Sequence, residues 1–337
     1  MDANELLQRY AAGERDFRDR NLIGIDLSSA NLSGIDLSGA YLGSANFSRT
    51  NFNGANLKGT SLYGANLSYA KLLNADLSDS DLTKANLSGA NLSHAQLPGA
   101  KLSGAVLTAV NLYGANLQGV NLCGSNLSEI NLRAADLRGA NLSWGNLSGA
   151  RLSGAVLQGT NLNSVKLSEA YLNGVDLSGM DLDGVDMSAA KLSGAKLVGA
   201  NLSAANFSEA QMRVAKFEEA NLRAANLESS LLMRASFSNA NLTKANLRSS
   251  DLRFANLSNA NLNLADLSAA DLTRSRLQGA YLWQANLNDV TLTGADLRSA
   301  SLRNAQFAPA DSRDAIFTGA TMPDGSRYGD MGGKAAA

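Results

Sequence analysis

The chain has 337 residues, 29 Lys plus Arg against 30 Asp plus Glu and a formal charge of −1, so net charge points neither to a nucleic-acid-binding polycation nor to an acidic mimic of DNA. One His and one Cys exclude an internal disulfide and a multi-ligand zinc site built from those residues. No stretch approaches roughly 18 apolar residues, and Met1 to Tyr10 lack a basic segment followed by an apolar run, so a cytoplasmic protein with no membrane span is expected.

Residues 1–16 read as a short N-terminal capping helix. Asp2 and Glu5 have capping-box spacing, and Leu6, Leu7 and Tyr10 recur at helical spacing before Gly13.

Residues 17–322 hold a repeat of period five. From Phe17 to Met322 every fifth residue is Leu, Phe or Met except Ser312, giving 62 consecutive units without insertion or deletion. Two residues before each central residue stands a small one, Ala in 41 of 60 cases between 25 and 320. Asn or Asp usually lies between them, as in Ala30-Asn31-Leu32, and Ser then Gly usually follow, as in Ser33-Gly34. On an α-helix this spacing leaves successive Leu residues about 140° apart and makes no stripe. On a flat strand it sends them to alternate faces. The chain must therefore turn a corner in every unit, with the central and small residues inside and Gly or Asn supplying a positive φ near the corner.

This unit, Ala-(Asn/Asp)-Leu-Ser-Gly, resembles that of the pentapeptide-repeat proteins over about nine tenths of the chain. The flanks, Leu6 to Phe17 and Thr318 to Ser326, are similar to those of cyanobacterial members. The resemblance implies an all-β fold, a right-handed quadrilateral parallel β-helix in which four units make a coil and residues twenty apart stack. It further implies one domain of about 15 coils, a rod roughly 74 Å long at about 4.8 Å per coil. Residues 323–337 read as a turn at Pro323-Asp-Gly325 followed by a disordered tail, Met331 to Ala337. With no capping helix evident at that end, the expected state is a monomer or an end-to-end dimer.

Residues with chemical potential give little. His94 and Cys123 fall at outward positions without partners for catalysis and read as surface residues. Asp176, Asp181 and Asp186 fall on three different sides of the coil, against a common cage with Asp183. The glycines recur with the repeat and are turn residues rather than a phosphate loop. No cofactor, metal, small-molecule substrate, nucleic acid or membrane is expected as a ligand, and no catalytic residue is assigned.

Departures from the repeat at outward positions are more informative. Val214, Leu231, Met233 and Phe254 occupy places usually polar or Gly in three stacked coils, and Arg213, Arg234, Arg253 and Arg274 run beside them, which is the composition of a protein-interaction patch. Leu264, Tyr281 and Trp283 form a second candidate. Arg151, Tyr171, Lys191, Gln211 and Leu231 replace the usual Asn or Asp and read as a tolerant surface position. The expected function is a non-enzymatic interaction scaffold for an unidentified protein partner. The alternative, implied by the resemblance, is a DNA mimic that binds DNA gyrase. Residues 1–200 hold 15 basic and 17 acidic residues and residues 201–337 hold 14 and 13, so neither part is the polyanion that mimicry requires.

Overall fold

The structure, a computed structural model, describes residues 1–329. It divides into two compact units, Met1–Tyr171 and Leu172–Ala337.

Both units are built the same way. In the first, parallel bridges run from Asp16↔Asp36 to Arg151↔Tyr171, and in the second from Asp176↔Lys196 to Ser301↔Thr321. Each links a residue at the Asn/Asp position to the one twenty residues later, so four five-residue units complete one turn of a coil. The central residues from Phe17 to Leu302 are all buried, and nearly all the small residues before them are buried as well. A full Leu burial contributes about 1.5–3 kcal/mol, so these columns supply most of the driving force within each unit.

Why the remaining positions favour Asn, Ser and Gly follows from the backbone N–H groups, which must all find acceptors. At the central position Leu22 N–H donates to Tyr41 O at 2.9 Å, and at the Asn/Asp position Tyr41 N–H donates to Arg20 O at 2.9 Å, both across coils. The second corner residue also donates across coils, as Gly24 N–H does to Gly43 O at 2.9 Å. The small residue closes the corner, Ala40 N–H donating to Leu37 O at 2.9 Å. One N–H is left, that of the first corner residue, and it donates to the Asn or Asp side chain two residues before: Ser28 to Asp26 Oδ1 at 2.9 Å, Ser78 to Asp76 Oδ1 at 2.9 Å. The Asn/Asp position is thus an acceptor for a donor that the coil geometry cannot otherwise satisfy.

Asn does a second job. Its Nδ2 donates to the carbonyl oxygen of the side chain stacked one coil earlier, as Asn51 does to Asn31 at 2.9 Å. In the second unit Asn201, Asn221 and Asn241 make such a ladder that begins at Asp181, with bonds of 2.8, 3.1 and 3.2 Å. A parallel ladder of Asn206, Asn226 and Asn246 begins at Asp186.

The second corner residue has positive φ at every corner from Asp19 to Gly319 except Pro309, as a type II turn requires at its third residue. Proline cannot adopt that angle, and the corner is lost there. Phe307 just before it is only half-buried, and Ser312 just after it is exposed.

Helix α1, Ala3–Ala11, lies at the start of the first unit. Asp2 caps it, its side chain accepting from Glu5 N–H at 2.9 Å. The Glu5 carboxylate does not return to Asp2 but turns to Arg9 at 3.4 Å. Leu6 is buried, Tyr10 donates its hydroxyl to Ser33 O at 2.7 Å, and the Arg9 guanidinium stands 5.7 Å from the Phe17 ring centre. The helix therefore covers the open edge of the first coil.

At the other end of the second unit the chain doubles back. Gly325 N–H donates to Met322 O at 2.9 Å to close the turn, and Arg327 pairs antiparallel with Thr321. Tyr328 N–H donates to Ala320 O at 2.8 Å, and its ring packs 5.5 Å from that of Phe317. A hairpin thus shields one side of the last coil, where the sequence showed only a turn signal. The expected disordered tail, Met331 to Ala337, lies outside the described residues.

Candidate protein-interaction face

The second unit carries one side on which the repeat is consistently broken outward. Parallel bridges join Lys191, Gln211, Leu231, Asp251, Asp271 and Thr291 in one column. Beside it stand Arg213, Met233, Arg253 and Thr273, and at the corner Val214, Arg234, Phe254 and Arg274. Backbone bonds hold the corner in register: Val214 N–H to Met233 O at 3.0 Å, Arg234 to Arg253 at 2.9 Å and Phe254 to Thr273 at 3.0 Å.

The eight residues expected to form the first patch come together on this face, with two differences from the sequence reading. Val214, Leu231 and Phe254 are exposed, at 50%, 43% and 41%. Met233 is half-buried instead, and the Arg213 guanidinium lies 3.5 Å from its sulfur. Arg253 is not a free rim charge either, because the carboxylate of Asp251 lies two residues before it in the same unit. It reaches Asp251 at 2.8 Å and Asp271 at 3.7 Å. This pairing, first through its hydrogen bond, holds the Asp251 carboxyl below its ordinary range, with Arg213 adding to the effect. Arg234 and Arg274 stand 5.7 and 5.9 Å from the Phe254 ring centre, one from the coil before and one from the coil after. Each such contact is worth about 0.5–1 kcal/mol at an exposed site.

Two features show that the apolar residues here stand where local structure favours something else. Val214 has φ 53°, a left-handed conformation in which a β-branched residue is an outlier, while Gly194 and Gly294 occupy the same corner elsewhere in the column. Leu231 replaces the Asn or Asp whose oxygen would receive the N–H of the next corner residue.

Tyr281 and Trp283 are exposed on a different side of the second unit, with Leu264 in the preceding coil. Leu264 N–H donates to Trp283 O at 2.9 Å, and Trp283 N–H takes the Asn263 side chain as its acceptor at 2.8 Å. Of the tolerant column, Arg151 stacks on the Tyr171 ring at 6.0 Å in the first unit, and Lys191 and Gln211 pair in the second.

Other residues with chemical potential stay apart. His94 packs edge-on against Tyr113 at 5.3 Å. Cys123 is exposed, its sulfur accepting from the Ser143 hydroxyl at 3.4 Å. Asp176 faces Lys196 at 3.6 Å, while Asp181 and Asp186 start the two Asn ladders. Among the described residues no group of three or more His, Cys, Asp or Glu could hold a metal, and no helix is long and apolar enough to cross a membrane.

Sequence reasoning missed several exposed aromatic residues of the first unit. Trp144 is the most exposed, at 71%, and sits at a corner with φ 60°. Ile23 and Tyr63 stack on either side of Gly43 with Tyr41 beside them, and Lys84 lies 5.7 Å from the Tyr63 ring centre. The twenty-residue spacing of Ile23, Gly43 and Tyr63 was the signal that could have found them.

Five-residue units stacked into coils by parallel bridges within each unit place the chain in the class of repeat-built proteins. The family model for pentapeptide repeats matches in successive overlapping copies from residue 21 to residue 311, and the chain belongs to that family. A search of curated proteins found none that matches. Among solved structures, HetL, a pentapeptide repeat protein involved in heterocyst differentiation regulation from the cyanobacterium Nostoc sp. strain PCC 7120, is 29% identical over 97% of this chain and 100% of its own, with a TM-score of 0.16. Rfr23, from the cyanobacterium Cyanothece 51142, is 27% identical over 46% of this chain and 99% of its own, with a TM-score of 0.19. Full-length QnrB1, a plasmid-mediated fluoroquinolone resistance protein, is 14% identical over 59% of this chain and 90% of its own, with a TM-score of 0.20.

Proposed function

We propose that each unit is a right-handed quadrilateral β-helix and that the protein is a non-enzymatic platform, binding a protein partner through the face formed by residues 211–274. The observation that carries this reading is the set of exposed apolar residues, Val214, Leu231 and Phe254, placed in one register against the preferences of the repeat and bordered by arginine. An apolar centre with an arginine-rich surround is the anatomy of a protein interface. Catalysis has no support in the repeat, which runs without an insertion that could wall a pocket.

The test is affinity capture from the native host with mass spectrometry, comparing the wild type with Leu231→Asp/Phe254→Asp. A partner retained by the wild type and lost by a folded double variant is expected. Retention of every partner by the variant would remove this face from consideration. A DNA-mimicking gyrase ligand needs a dense negative face, and the 211–274 face carries more arginines than carboxylates. Gyrase supercoiling is therefore expected to be unaffected by added protein.

A further inference from the structure

The charge on the 211–274 face is unbalanced, and the imbalance indicates what would bind. Four guanidiniums, Arg213, Arg234, Arg253 and Arg274, share it with two carboxylates, Asp251 and Asp271. Both carboxylates are engaged by Arg253, at 2.8 and 3.7 Å. Among the described residues, neither Arg234 nor Arg274 has a carboxylate within ion-pair distance. Arg213 has none either and turns to the Met233 sulfur, so of the three guanidiniums not paired in this way Arg234 and Arg274 are the two that bracket Phe254.

We infer that this face takes an acidic, extended peptide segment of the partner, with one carboxylate on Arg234, another on Arg274, and an apolar side chain between them against Phe254 and Leu231. The inference rests on the platform reading and specifies its ligand chemistry. Arg234 and Arg274 are two coils apart, about 10 Å at roughly 4.8 Å per coil. A polyproline II segment repeats its facing every three residues and rises about 9 Å over that span, so acidic residues at i and i+3 match the two arginines. On a flat β-strand the same two residues would face opposite ways. Guanidinium favours such planar recognition of carboxylate. Duplex nucleic acid fits the face less well. Asp251 and Asp271 lie amid the arginines, where they would repel phosphates, and exposed Val214, Leu231 and Phe254 would find no apolar counterpart there.

Fluorescence anisotropy with the full chain tests this. The probe is a fluorescein-labelled peptide of four Glu-Leu-Pro repeats, with the Gln-Leu-Pro peptide and a DNA duplex as comparison ligands. The expected result is salt-sensitive binding of the Glu peptide, no binding of the Gln peptide, and weakening by about tenfold or more in Arg234→Gln/Arg274→Gln. Arg223→Gln/Arg248→Gln removes the same charge from other sides of the coils and is expected to leave affinity unchanged. Circular dichroism melts confirm that both variants are folded. Absence of Glu-peptide binding at low salt, equal weakening by both double variants, or tighter binding of the duplex at the same arginines would overturn the inference. If capture from the host still depends on Leu231 and Phe254 while the Glu peptide fails to bind, the platform reading stands and only the ligand chemistry falls.

Discussion

Replacing Ser125 with alanine is expected to stabilise the first unit. Ser125 occupies the small inward position and is 3% exposed, yet its hydroxyl has no hydrogen-bond partner among the described residues. Four other buried serines at that position solve the same problem locally: Ser80, Ser230, Ser250 and Ser275 donate to the carbonyl three residues before, at 2.7, 2.6, 2.7 and 2.7 Å. An unpaired buried hydroxyl costs about 1–3 kcal/mol, whereas a made bond contributes about 0.5–1.5 kcal/mol. Alanine is the commonest residue at this position, 41 of 60 cases, so the backbone accepts it without adjustment. Ser125→Ala should therefore gain about 1–2 kcal/mol, and Ser230→Ala should lose up to about 1 kcal/mol. For a unit of this size each kcal/mol moves the melting temperature by roughly 2–4 °C. Thermal unfolding followed by circular dichroism and calorimetry should show the two variants moving in opposite directions. A lowered melting temperature for Ser125→Ala, or the same shift for both, would refute the assignment of an unpaired hydroxyl.

Two further outcomes follow from the columns and the ion pairs. Leu142 is fully buried, and Leu142→Asn both removes its apolar burial and places an amide among leucines; a loss of about 4 kcal/mol or more is expected in urea titrations, and an unchanged midpoint would place this residue outside the core. Asp296 accepts from Arg298 at 2.6 Å and from Gln278, and its carboxyl is held below the ordinary 3.8, chiefly by the Arg298 hydrogen bond. A carboxyl lowered by folding contributes stability that is fully present above its unfolded pKa and is lost as pH falls through the folded value. The melting temperature should thus decline on acidification below about pH 4, and less steeply in Asp296→Asn than in the wild type. Equal slopes would show that this pair contributes nothing.

The register of the fold could be read because one residue type serves one position. Leu and Ala repeat since each unit must bury both, and the bridges every twenty residues follow from stacking such units. The preference for Asn or Asp was visible as a pattern but not as a cause, since it depends on which N–H the coil leaves over, and that is a property of the closed turn. The irregular end illustrates the same limit. Ser312 stood out as a missing core residue, but the disturbance starts at Pro309, whose fixed φ matters only once every second corner residue is known to be left-handed. On the candidate face, stacking arithmetic placed the eight residues on one side, while the engagement of Arg253 by two carboxylates and the bracketing of Phe254 depended on side-chain reach. Trp144 escaped notice because no neighbour twenty residues away on either side is apolar.

The Asn ladders have a direction. Among the described residues every such amide donates toward the start of the chain, so an Asn both receives from the coil after it and gives to the coil before it. Asp can receive but, when ionised, cannot give, which suits it to the first rung, where Asp181 and Asp186 stand. In the interior it would set two acceptors facing one another. The choice between Asn and Asp therefore works as punctuation: Asn can continue a ladder, whereas an ionised Asp can only begin one. A block of twenty residues with Asn at this position can be duplicated without breaking the ladder, whereas one with Asp starts a new ladder, so the solenoid can lengthen by duplication while each strip of amides keeps its own starting point.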